Sequence, residues 1–120
     1  MSASERDQAR RQHLEKVQQA LGEYAEQEGA YPDTGGEVQT LCLHGADAAC
    51  AVRFFLPASR LPSDPLGSSA DHGYWYLSDG SSFVLIARQE EMTGEGGRCP
   101  QPEDRFPGGE TRYCVQGALP

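Results

Sequence analysis

The chain is short of bases, of histidine and of long apolar runs. Ten Lys and Arg stand against eighteen Asp and Glu, a formal net charge of −8. That deficit argues against a nucleic-acid partner, whose phosphates call for a basic surface. Solubility alone accounts for the acidity. No apolar run approaches the ~18 residues needed to cross a bilayer, and the polar opening residues do not form a signal peptide. The sequence has no phosphate loop or dinucleotide fingerprint, no C-x-x-C and no internal repeat. Its three histidines, His13, His44 and His72, fall in no Ser-His-Asp or Cys-His order and read as solvated or capping side chains.

What is present fits one small domain spanning 1–120. A core of that size is modest, so covalent staples would help it. Four cysteines in a Gly- and Pro-rich acidic chain point to an oxidising compartment. With no export signal beside them, the expectation is a soluble piece of a longer protein, with Met1-Ser2-Ala3 as an added start. Four cysteines allow three pairings. The local solution joins Cys42 to Cys50 and Cys99 to Cys114, each pair closing a loop with little else to hold it. Their spacing matches no common zinc pattern, so structural disulfides are favoured over a metal site.

Residues 4–28 read as one amphipathic helix. Leu14, Val17, Leu21 and Tyr24 recur at helical spacing, and Ala20 and Ala25 widen the stripe. Arg, Lys, Glu and Gln fill the other positions and favour helix. Ser4 suits the N-cap, with Asp7 in the first turn. Arg11 and Glu15 form an i,i+4 pair. Gly29 supplies the left-handed cap, and Pro32 ends any continuation. Such a helix needs a surface to pack on, and residues 33–120 offer a small antiparallel sheet.

Val38 to Leu43 alternates as a short strand. Ala51 to Leu56 reads as a strand or an irregular apolar segment, and Pro57 to Asp71 as an irregular connection. The clearest β signal is Gly73 to Leu77 and Ser82 to Arg88 flanking Asp79-Gly80, a hairpin turn that needs positive φ. The inward face of the second strand is either Phe83, Leu85 and Ala87 or Val84 and Ile86. Alternation sets Trp75 opposite Tyr74 and Tyr76. Arg112 to Gln116 reads as a last strand. The expected fold class is therefore α+β.

Acids cluster in loops, at Asp64, Asp71, Asp79, Glu90, Glu91, Glu95, Glu103 and Asp104. They read as a solvated face. Oxygen-rich loops also bind calcium, and Glu103 and Asp104 are the candidates, although no EF-hand spacing occurs. No cofactor is otherwise implied. A hydrolase using these acids would need paired carboxylates in a cleft, for which the sequence gives no sign.

The helix end ALGEYAEQEGAYP, with Arg10, Arg11, Leu14, Ala20, Leu21, Tyr24, Gly29, Tyr31 and Pro32, resembles type IV pilin-like proteins and type II secretion pseudopilins. Leu61 to Gly67 is similar to the Leu-Pro-x-Asp-Pro element of that family, and Tyr74 to Glu90 to its strand, Asp-Gly turn and second strand. The resemblance covers most of the chain in order. It implies the soluble head of a filament subunit, with no enzymatic activity. It further implies an absent N-terminal apolar helix that anchors the full-length protein in the inner membrane, and other pilin or pseudopilin subunits as partners. The head would then sit on the periplasmic or extracellular face of a bacterial envelope. Cys99 and Cys114 look like the disulfide-bounded C-terminal loop of type IV pilins, where major pseudopilins carry calcium. The alternative is a secreted, disulfide-stabilised binding module.

Overall fold

The computed structural model of the chain describes residues 2–43, 45–66, 73–90 and 112–120. A long helix, α1 (Ala3–Glu28), is followed by strands β1 (Gln39–Thr40), β2 (Tyr74–Ser78), β3 (Ser82–Arg88) and β4 (Arg112–Ala118). The strands form one antiparallel sheet in the order β1-β2-β3-β4. The α+β expectation holds: α1 packs on β3, β4 and a short helical segment that precedes β2.

The helix starts two residues earlier than its first-turn chemistry suggests. Ser2 is the cap, not Ser4: its hydroxyl accepts from the Glu5 amide, and the Glu5 carboxylate accepts from the Ser2 amide. This reciprocal box satisfies two otherwise orphaned donors. Gly29 closes the helix at φ 85°, and its N–H donates to the Ala25 carbonyl at 2.8 Å. Leu14, Val17 and Leu21 are fully buried and Tyr24 partly so. Each fully buried aliphatic contributes about 1.5–3 kcal/mol.

The inward face of β3 is Phe83, Leu85 and Ala87, which join the helix stripe with Tyr74 and Tyr76 of β2. Ile86 lies on the other face with Trp75 and Cys114. The expected split of Trp75 from its two tyrosine neighbours is therefore present. Ser78 pairs with Phe83 across the hairpin, and Gly80 takes φ 92°. Asp79 Oδ1 accepts from the Ser81 and Ser82 amides, both at 2.9 Å. Those bonds, the Ser82 amide foremost, hold the Asp79 carboxyl below its ordinary range.

The exit from α1 is tied to this hairpin. Tyr31 N–H donates to the Gly80 carbonyl at 2.9 Å, and Tyr76 Oη donates to the Pro32 carbonyl at 2.6 Å. Thr34 and Ser78 exchange three hydrogen bonds of 3.0 to 3.2 Å. Tyr31 meets Phe83 edge-on at 4.8 Å. Helix end and hairpin tip are thus one packed unit.

Two apolar segments differ from the sequence reading. Only Gln39 and Thr40 of the Val38–Leu43 run pair in the sheet. The run is cut short where Cys42 turns to φ 62° to meet Cys50. The Ala51–Leu56 segment is neither strand nor irregular: Ala48–Phe55 winds in 3-10 turns, burying Ala49, Cys50 and Val52. Its period-three burial matches helical, not alternating, spacing. The Cys42–Cys50 disulfide is present, and Cys114 is also disulfide-bonded; Cys99 lies outside the described residues.

Two outcomes follow for stability. A Cβ placed on Gly117 would lie 2.4 Å from the Phe83 ring, which sits opposite it in the sheet. Gly117→Ala should therefore cost about 1–3 kcal/mol by overpacking, read as a lower urea midpoint. Cys42→Ser with Cys50→Ser should cost about 2–3 kcal/mol on the chain-entropy account of so short a loop. Equal midpoints for the wild type and the double variant would show that the bridge does not support the fold.

Candidate functional site

The helix stripe changes chemistry toward its start. Above Leu14 the same face continues through Arg10 and Asp7, both buried. Arg10 reads from sequence as one of the polar outward positions; its side chain is instead 0% exposed. Nε and Nη2 donate to the two Asp64 carboxylate oxygens at 2.9 and 3.0 Å, a bidentate fork. Nη1 donates to Asp7 Oδ1 at 2.7 Å and to Glu90 Oε2 at 2.9 Å. The Glu90 amide donates to Asp7 Oδ1 at 2.8 Å, and Arg6 donates to both Glu90 oxygens at 2.5 and 2.7 Å.

Burial alone would lower the Arg10 pKa. Hydrogen bonds to Asp64, Glu90 and Asp7 outweigh it and hold the guanidinium above its ordinary value. The Glu90 carboxyl is pulled from its ordinary 4.5 to about 2, chiefly by the Arg6 hydrogen bond. Asp64 and Glu90 therefore do not belong to a solvated acidic face. Asp64 is fully buried, and its Oδ1 also accepts from the Leu66 amide at 2.9 Å. The cluster has no carboxylate left over to act as acid or base, so its chemistry is that of a clamp. It joins α1, the loop at Asp64 and the end of β3.

Beside the clamp, His13 Nδ1 and Tyr74 Oη lie 2.6 Å apart. Burial, then Lys16, lowers the His13 pKa, and burial raises that of Tyr74. His13 is thus a half-buried partner of the sheet rather than a solvated side chain. Arg11, expected to pair with Glu15, reaches Gln89 at 3.4 Å and lies 5.2 Å over the Tyr113 ring. His44, His72, Asp71, Glu91, Glu95 and the calcium candidates Glu103 and Asp104 lie outside the described residues. Among the described residues no three His, Cys, Asp or Glu side chains converge as metal ligands.

A second feature was not legible in the sequence. A groove of about 240 Å³ opens beside the Cys42–Cys50 bridge, lined by Leu41, Leu43, Leu61, Arg53 and Arg60 among others. Leu43 and Phe54 are 50% and 68% exposed there and beside it. Cys42, Ala58 and Ser59 are the described non-glycine residues at positive φ, and two of them line this groove. Such backbone costs about 1–3 kcal/mol per residue. No run of sequence marks the groove, because its walls come from three separate segments.

The remaining helix charges face outward. Glu23, Glu26 and Glu28 are exposed near the C-terminus of α1, whose last turn holds no base. The negative end of the helix dipole disfavours acids there by about 0.3–1 kcal/mol each.

Comparison with family profiles, curated proteins and solved structures finds no match to this chain.

The clamp makes two testable claims. Arg10→Met strands buried carboxylates and should cost about 3–5 kcal/mol. Adding Asp64→Asn should cost less than the two singles summed, with a coupling of about 1–3 kcal/mol in urea denaturation. The folded Glu90 pKa is depressed, so its stabilisation is whole above pH 4.5 and fades as pH falls toward 2. The wild type should accordingly lose melting temperature faster than Glu90→Gln across that window; parallel profiles would contradict the pairing.

Proposed function

We propose that the chain is the soluble head of a type IV pilin-like or pseudopilin filament subunit, a structural and not a catalytic protein. The observation that carries this reading is α1 itself. A 26-residue helix lies along an antiparallel sheet and ends at Gly29, just before Tyr31-Pro32. The Asp-Gly hairpin follows it in the order the resemblance implies, and the Cys42–Cys50 loop between them is an addition to that pattern. In this reading an apolar helix precedes α1, anchors the subunit in the inner membrane and later packs with its neighbours in the filament. The disulfides agree with a head folded outside the reducing cytosol.

The alternative, a secreted binding module, draws its support from the groove with its exposed Leu43 and Phe54. The native N-terminus of the full-length gene product separates the two. A filament subunit should show a leader ending in Gly, then Phe or Met, then a long apolar helix with Glu at the fifth mature position. An ordinary cleaved signal peptide directly before the head would overturn the filament reading.

A further inference from the structure

The groove and the end of α1 carry opposite charges that are unmatched among the described residues. Arg53 and Arg60 are both exposed at the groove, on a chain whose formal net charge is −8. Arg53 stacks over Phe54 at 4.7 Å, and among the described residues neither arginine makes an ion pair. The arginines of α1 are used differently: Arg6 and Arg10 are held in the clamp, and Arg11 faces Gln89 and Tyr113. On the helix, Glu23, Glu26 and Glu28 are exposed, and no described residue pairs with them.

The two patches are neighbours. Tyr24 meets Phe55 edge-on at 6.1 Å, which sets the 3-10 segment carrying Arg53 beside the C-terminal half of α1. Complementary patches adjacent on one molecule match reciprocally across a two-fold axis, where each copy presents its positive patch to the other's negative one. We propose that the Arg53/Arg60 groove seats the Glu23–Glu28 face of α1 from a second copy of this chain, in a reciprocal pair. Leu43 and Phe54 supply the apolar part of the contact. Guanidiniums suit this role because each can hold a carboxylate in a bidentate fork. The acids, in turn, gain the cation that the end of the helix lacks. Both partners are acidic overall and the contact is built on exposed charges, so it is weak and salt-sensitive. It stands on these charges whether or not the chain is a filament subunit.

Sedimentation equilibrium of the chain at low and high salt tests it. Self-association should appear at low salt and weaken about tenfold or more as salt rises from ~20 mM to ~500 mM. R53E/R60E and E26K/E28K should each lose about tenfold or more in association. An equimolar mixture of the two variants should recover it, because both halves of the reciprocal contact are then attractive again. All four positions are exposed, and circular dichroism with thermal melting checks that each variant is folded. R53Q/R60Q, which introduces no repulsion, should weaken association to a lesser degree. A chain that stays monomeric at every concentration and salt overturns the proposal. So does association that is indifferent to the arginine variants, or a mixture that fails to recover it.

Discussion

The Arg10 guanidinium determines how the helix meets the rest of the molecule. It sits on the buried side of α1, one turn before the apolar stripe begins, and its three nitrogens reach three carboxylates on three segments. An apolar side chain there would extend the core, but it would not choose between neighbouring rotations of the helix on the sheet. The fork does choose, because only one rotation brings Asp64 and Glu90 together within 3.0 Å of it. Buried ion pairs contribute little net stability once desolvation is counted. Their worth here is alignment: the clamp fixes the start of α1, while Leu14, Val17 and Leu21 supply the burial energy further along.

The other end of α1 is fixed by different means. There the chain leaves through Gly29, and backbone bonds from Tyr31 and Thr34 fasten it to the hairpin tip. Tyr31, Tyr76 and Phe83 fill the corner with tilted and edge-on rings. Gly117 on β4 then has to be glycine because the Phe83 ring occupies the space a side chain would need. A helix held at both ends, by ions at one and by rings and amides at the other, couples the sheet to the helix along its length.

Some of this was legible in the residues and some was not. The hairpin was, because Asp79-Gly80 between two apolar runs leaves few alternatives. The helix was, because its stripe and its Gly29 stop agree. The inward face of β3 was not, since Phe83-Leu85-Ala87 and Val84-Ile86 are equally apolar and burial on both faces removes the alternation signal. Arg10 escaped because arginine is almost always exposed unless paired. Its charge put it among the polar positions of the helix, and its partner Asp64 lay fifty-four residues away. The 3-10 segment escaped for a related reason. A short apolar run does not distinguish helix from strand, and here the Cys42–Cys50 bridge shapes the chain around it.

The distribution of cations gives the surface its character. Arg6, Arg10 and Arg11 are drawn inward by the fold, which leaves the outer face of α1 with acids and the single lysine Lys16. Arg53 and Arg60 make no ion pair among the described residues, and they lie on a wall built from the disulfide loop and strained backbone. Strain of that kind persists only where the surrounding structure over-determines it, and the Cys42–Cys50 bridge supplies that constraint at Cys42. The interior of the molecule is thus electrostatically closed around Arg10, while its exterior keeps separated charges of both signs. Among the described residues, the ions that align the helix are thus separate from those that Arg53, Arg60 and the end of α1 present at the surface.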